Sequence, residues 1–184
     1  MVITLSGLPG SGKTTIASML AERLGVNWYS MGDLRGKMAA ERGLTIDQLN
    51  ELGEKEAFTD KEVDDYQAKL GVSGESFVID GRLSWHFIPD AFKVFLYVDP
   101  SVGAQRVIDS QKHKERPDEQ AYVSVEDAER VLCARMESDQ RRYQKYYGLD
   151  ILKRDNYNLW IDTSKLTPQQ IVATILAAVE ARQA

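Results

Sequence analysis

Five short runs of β-branched, aromatic and aliphatic residues recur along the chain, each flanked by turn-forming or polar residues: VITLS at 2–6, VNWYS at 26–30, SFVID at 76–80, KVFLYVD at 93–99 and NLWIDTS at 158–164. They are close to continuously apolar instead of alternating, the pattern of strands covered on both faces of a parallel sheet. Helical patterning lies between them, so the order is strand–helix–strand and the predicted class is α/β. Thr15 to Leu24 reads as a helix stopped by Gly25. Pro168 to Ala181 places Ile171, Ile175, Leu176 and Val179 on one face behind a first-turn proline, a helix that docks on the core.

Two segments exceed an ordinary crossover connection. Residues 31–70 are polar and helical between the second and third strands, and residues 107–149 are charged and helical between the fourth and fifth. Insertions of this size on a minimal sheet usually form binding arms or lids. The expected organisation is one domain, with a core of 1–30, 71–106 and 150–184 carrying an arm at 31–70 and a lid at 107–149. Within the second insertion, DSQKHKERPDEQ at 109–120 reads either as a mobile tip or as a solvated loop.

Bulk composition narrows the class further. The 184 residues carry 23 Lys and Arg against 28 Asp and Glu, a net charge of −5 that offers no electrostatic footprint for nucleic acid or an anionic membrane. An anionic partner must therefore be gripped locally. The apolar N-terminal run is broken by Gly7, Pro9 and Gly10, and no run of 18 apolar residues occurs, so neither a signal peptide nor a spanning helix is expected. Cys133 stands alone and is expected as a small core residue, which excludes an internal disulfide and fits a reducing, cytoplasmic setting.

The most specific local signal is GLPGSGKT, in which Gly7, Gly12, Lys13 and Thr14 satisfy G-x-x-x-x-G-K-[ST] between a strand and a helix. The backbone of Gly7, Leu8, Pro9, Gly10, Ser11 and Gly12, onward into Lys13, Thr14 and Thr15, turns its N–H groups, Pro9 having none, into an anion nest at a helix N-terminus. Lys13 reaches the outer phosphates of ATP and Thr14 ligates Mg²⁺. Neither the Asn-Lys-x-Asp base reader of GTPases nor the apolar run ending in Asp-Glu of motor ATPases occurs. That leaves a small-molecule kinase. FVIDGRL then sets Asp80 and Arg82 at the end of a central strand, where Asp80 suits Mg²⁺ through water and Arg82 a substrate phosphate. Ser30 and Asp33 read equally as a helix cap or as residues facing the acceptor. Arg135 and Arg142, seven apart in ARMESDQRRYQKYYGLD, share a helix face that Arg141 does not, with Asp139 or Glu129 available to pair with them. Two cations on one face of a lid would close over a transferring phosphoryl group. His86 and His113 are expected to be peripheral, since an acceptor phosphate is already ionised and needs no base.

SGLPGSGKTT, YSMGDL, FTDKEVDDYQAKL, DGRLSWHFIPDAFKVFL, ARMESDQRRYQKYYGLD and LWIDTSKL appear in an order and spacing that resembles the archaeal-type cytidylate kinases of the P-loop nucleoside monophosphate kinase family, over almost the whole chain. The resemblance implies a five-stranded parallel sheet with flanking helices, an acceptor-binding arm, a lid, and transfer of the γ-phosphoryl group of ATP to CMP or dCMP with Mg²⁺. It implies nucleotide substrates as the partners, and a monomer is expected. It makes Ser30, Asp33, Asp64, Arg82, Arg135, Arg142 and Asp150 the candidate acceptor site and places Arg106 on the donor side. Two positions depart from the wider family. Gly36 stands where an arginine is expected, leaving Arg35 or Lys37 for the acceptor phosphate, and Ser110 stands four residues after Arg106 where a second arginine is expected, with Lys112, His113, Lys114 and Arg116 nearby. Adenylate, uridylate, a nucleoside or a shikimate-like alcohol remain alternative acceptors, and an ATP-operated switch module remains an alternative class.

Overall fold

The computed structural model describes residues 1–56, 58–112 and 122–183, with the side chains of 47, 58, 59 and 183 left aside. Five parallel strands, β1 (Val2–Gly7), β2 (Asn27–Ser30), β3 (Phe77–Asp80), β4 (Phe92–Tyr97) and β5 (Leu159–Asp162), lie in the order β2-β3-β1-β4-β5. Leu5 pairs with Asp80 on one side and Val94 on the other, so the ends of β1, β3 and β4 open side by side. The three central strands match the expected two-sided burial. The edge strands do not: in β2 Asn27 is exposed and the rest half-buried, and in β5 only Ile161 is buried. Their apolar runs reflect one covered face and one sheet edge.

Successive strand residues divide between two cores, as the pleat requires. Ile3, Leu5, Val78, Val94 and Leu96 point to the face covered by α1 (Lys13–Leu24) and α8 (Pro168–Gln183), where Ile16, Leu20, Ile171, Ile175 and Val179 complete the packing. Phe77 and Ile79 point the other way, toward α2 (Met31–Glu41), α3 (Ile46–Lys55) and α4 (Phe58–Gly71). Each fully buried aliphatic side chain contributes about 1.5–3 kcal/mol. The α8 face expected from periodicity is the one the core uses.

After β3 comes a single turn, α5 (Ser84–Phe87), and after β4 the helix α6 (Pro100–Lys112). The long helix α7 (Val125–Tyr147) starts where the Ser124 hydroxyl accepts from the Asp127 N–H (3.1 Å) and stops at Gly148, whose φ of 67° is left-handed. Ala128 and Leu132 seat it on Ala104 and Val107 of α6, while Tyr143 packs on Leu83 and Trp85. Its Cys133 is exposed, contrary to the core placement expected, because the apolar seam of the helix passes through 128 and 132 instead.

The two insertions also touch each other. At the end of α3 the Glu54 carboxylate accepts from the Ser138 hydroxyl and from Arg141 (3.0 Å), its carbonyl accepts from Lys145 (2.9 Å), and the Gly53 carbonyl accepts from the Tyr146 hydroxyl (3.0 Å). No described helix is long and apolar enough to cross a membrane.

Candidate active site

The loop between β1 and α1 is shaped by close backbone approach. Gly10 has φ 72°, and a β-carbon there would collide with the Gly103 backbone of α6; Gly12, at φ 89°, is the left-handed residue that turns the chain into α1. The helix therefore starts at Lys13 with its first N–H groups facing the loop, an anion-binding arrangement. The Lys13 ammonium bends back to donate to the carbonyls of Gly7 (3.0 Å) and Leu8 (2.8 Å).

Opposite the loop lies a cavity of about 240 Å³, lined by Pro9, Gly10, Gly12, Lys13 and Thr14 on one side. Arg35, Arg82, Arg135 and Arg142 complete the walls, together with Asp33, Asp60, Asp64, Asp80 and Asp139. Three of these guanidinium groups, those of Arg35, Arg82 and Arg142, are held by carboxylates in an alternating chain. Arg35 donates to Asp60 (2.8 Å) and to Asn50 (2.9 Å); Asp60 pairs with Arg142 (3.2 Å); Arg142 donates to Asp139 (2.7 Å), which also pairs with Arg82 (2.6 Å). This chain ties α2, α3, α4, the turn after β3, and α7 to one point.

Burial alone would raise the Asp139 carboxyl, but Arg82, Arg142, Arg135 and Arg35 together hold it below its usual range. Against the lowering effect of burial, Asp139 and Asp60 raise Arg142 above its ordinary value. Arg142 is only 1% exposed, so its charge is usable because these partners compensate it. The arginines are thus fixed in place before any substrate arrives. A guanidinium carries more N–H donors than these carboxylate pairs take from Arg82 and Arg142, which is the preorganisation that phosphoryl transfer requires.

Asp80 ends β3 beside the loop. One oxygen accepts from the Ser30 hydroxyl (3.1 Å), and the other, Oδ2, is buried without a hydrogen bond. Burial pushes this carboxyl up, opposed by the Lys13 ammonium and the Ser30 hydroxyl. A buried acidic oxygen beside the Thr14 hydroxyl, which like Ser30 lowers this carboxyl, suits a hard cation, so the residues present fit Mg²⁺. Ser30 also caps α2 by accepting from the Asp33 N–H (3.2 Å). The two readings of Ser30 and Asp33 are therefore compatible: they start a helix and line the cavity.

Four candidates lie elsewhere. Lys37 is exposed and absent from the cavity wall, so Arg35 alone of that pair faces the site, two helix positions, about 200°, turning Lys37 outward. Arg106 donates to the Thr163 side chain and carbonyl and sits outside this cavity. Asp150 accepts from Gln140 (3.1 Å) and from the Leu152 N–H (2.9 Å), shaping the turn after α7 instead of facing the cavity. Thr15 is exposed. Gly7 ends β1, Leu8 lines a second, apolar cavity and Ser11 is buried, so these three shape the loop without lining the charged cavity. His86 is exposed, as expected. Of the tip, Lys112 pairs with Asp109 (2.8 Å) at the surface, and His113, Lys114 and Arg116 lie outside the described residues.

Sequence reasoning missed Asp60 and Asn50, which hold Arg35, and the hydrogen-bonded pair of Asp64 with Tyr147. Asp60 lay within an acidic run where sequence alone gave no reason to single it out; only packing brings it against α2 and α7.

The cytidylate kinase-like family model matches residues 2–165. The chain is 38% identical over 181 residues to the cytidylate kinase of Methanothrix thermoacetophila, covering 98% of this chain and 99% of that protein. It is 34% identical over 184 residues to the cytidylate kinase of Archaeoglobus fulgidus, covering 100% and 97%. Among solved structures, a protein from Eubacterium ventriosum superposes with a TM-score of 0.65 at 20% identity over 98% of both chains. Shikimate kinase from Acinetobacter baumannii, in complex with shikimate, does so with a TM-score of 0.61 at 20% identity over 98% of this chain and 93% of that one. These likenesses show the shared P-loop kinase fold, and the full-length relatives show more: the chain belongs to the cytidylate kinase-like family.

Proposed function

We propose that the protein transfers the γ-phosphoryl group of ATP to CMP or dCMP, giving ADP and CDP or dCDP. The observation that carries this reading is the convergence of Arg35, Arg82, Arg135 and Arg142 on one cavity directly across from the phosphate-binding loop. The family and its cytidylate kinase relatives support the choice of acceptor.

ATP binds with its phosphates over the N–H groups of the loop and the start of α1. Lys13 then exchanges the Gly7 and Leu8 carbonyls for oxygens of the β- and γ-phosphates. Mg²⁺, held by Thr14 and by Asp80 through water, would neutralise charge on those phosphates. Arg82, Arg135 and Arg142 hold the acceptor phosphate and neutralise the charge that builds on the transferring group. An oxygen of the CMP phosphate attacks the γ-phosphorus in line, the bond from that phosphorus to the β–γ bridging oxygen breaks, and ADP leaves. No side chain removes a proton, because the attacking oxygen is already ionised. In this reading 31–70 is the acceptor arm and 107–149 the lid, and the contacts of Glu54 with Ser138 and Arg141 couple their positions.

A coupled ADP-release assay across CMP, dCMP, UMP, AMP and shikimate tests the acceptor. CMP or dCMP is expected to give the highest kcat/KM. AMP or shikimate exceeding CMP about tenfold, a difference of about 1.4 kcal/mol, would overturn the assignment.

A further inference from the structure

Within the cytidylate kinase reading, we propose that Gln67 and Tyr147 are positioning residues that orient the Asp64 carboxylate toward the acceptor base, so that discrimination of a 4-aminopyrimidine from a 4-oxopyrimidine depends on both. Asp64 is 8% exposed and lines the cavity from α4. It sits at the middle of a buried relay. The Ser84 hydroxyl, on the turn that follows Arg82 and Leu83, donates to Gln67 Oε1 (2.6 Å). That contact fixes which way the amide faces: with Oε1 accepting, Nε2 is left to donate, and it does so to Asp64 Oδ1 (3.4 Å). From the other side the Tyr147 hydroxyl, at the last residue of α7, donates to Asp64 Oδ2. Gln67 and Ser84 are 2% and 0% exposed, so water does not compete for these bonds.

Each carboxylate oxygen then has one donor from the protein, and the lone pairs that remain are open to the cavity. An ionised carboxylate only accepts. A base bearing an exocyclic amine at that position supplies a donor; a 4-oxo base brings a second acceptor and leaves both groups unsatisfied in a buried site. Sites built to hydrogen-bond a substrate group reject analogues that lack it strongly. Arg35 and Arg142, which would favour a 4-oxo group, are directed to Asp60 and Asp139 instead.

The relay also sets when Asp64 is an acceptor. Burial raises its carboxyl to about 6; the Tyr147 hydrogen bond and Arg35 lower it, and Asp60 and Asp65 of its own helix raise it. The α5 side contributes Ser84 through Gln67, and His86, whose ring lies against Tyr147, is exposed. Above about pH 6 the group is ionised and selects an amine; below it the protonated group can donate to a 4-oxo oxygen, so selectivity falls as pH falls.

The test measures kcat/KM for CMP and UMP from pH 5 to 8 in the wild type, Tyr147→Phe and Gln67→Met. Each variant is expected to lower the CMP:UMP ratio by about tenfold or more while changing kcat for CMP at pH 8 by less than about threefold. In Tyr147→Phe the lost donor raises the Asp64 carboxyl, so the midpoint of the ratio against pH moves to higher pH. Ratios and midpoints unchanged in a wild type that prefers CMP would overturn the inference alone. A wild type with no preference for CMP over UMP would overturn it together with the acceptor assignment. Should Gln67→Met fail to fold, Tyr147→Phe, altered at the end of α7, decides the matter by its midpoint.

Discussion

Lys13→Met is expected to fold as the wild type does and to lose about three orders of magnitude or more in kcat, since one charge beside the β- and γ-phosphates is removed from a preorganised site. In the structure the Lys13 ammonium donates to the loop carbonyls of Gly7 and Leu8, and the methionine stem keeps most of its volume. The loop itself is set by glycines that the substitution does not alter. Thermal melting within a few degrees of wild type, with single-turnover transfer nearly abolished, is the expected pair of results. A rate within a few-fold of wild type would reject the role of the loop as the triphosphate cradle.

Arg142→Ala is expected to damage both stability and catalysis. Its guanidinium lies between Asp60 and Asp139, and its removal leaves two buried carboxylates short of a partner, a loss of about 3–5 kcal/mol. On top of this, a missing charge-assisted contact in the transition state lowers kcat and kcat/KM together by about two to three orders of magnitude. Arg142→Lys does not restore either property, because an ammonium cannot reproduce the fork that spans both aspartates. Arg135→Ala separates the two effects. It lines the same cavity seven residues earlier on α7 but is less buried than Arg142, and is expected to show the kinetic loss with the smaller change in melting temperature. Arg141→Ala serves as the control. Its pair with Glu54 is 61% and 37% exposed, a contact contributing at most about 1 kcal/mol, so kcat should change less than about threefold. Urea unfolding and steady-state kinetics on the four variants check the pattern. Silence at both Arg135 and Arg142 would move the catalytic cations elsewhere on the second insertion.

What could be read from the chain alone was whatever is local. The strands announced themselves as apolar runs, the loop as closely spaced glycines before Lys13, and the shared face of Arg135 and Arg142 as helical periodicity. Burial at the sheet edges was overstated because a run of apolar residues does not say how many neighbours its strand has. The partners that hold the arginines stayed hidden for a different reason. Arg35 meets Asp60 25 residues later, Tyr147 meets Asp64 83 residues earlier, and Ser138 meets Glu54 84 residues earlier. The first forms only when α4 packs on α2 within one insertion, and the other two only once the two insertions are packed on each other. Lys37 and Asp150 came with the resemblance or its departures, and their exposed positions follow from two steps of helix rotation past Arg35 and from the turn after α7. Arg35, next to Gly36, lines the cavity because Asn50 and Asp60 hold it inward.

The account turns on a phosphoryl group passing from ATP to a cytidine monophosphate within one site. Incubation with γ-labelled ATP, CMP and Mg²⁺, followed by separation of nucleotides from inorganic phosphate, measures that transfer directly. The account predicts that the label appears in CDP, one equivalent for each ADP formed, and that Lys13→Met abolishes it. Label released as inorganic phosphate while CMP stays unmodified, or no turnover of bound ATP in the presence of CMP, would contradict it and point to an ATP-operated switch.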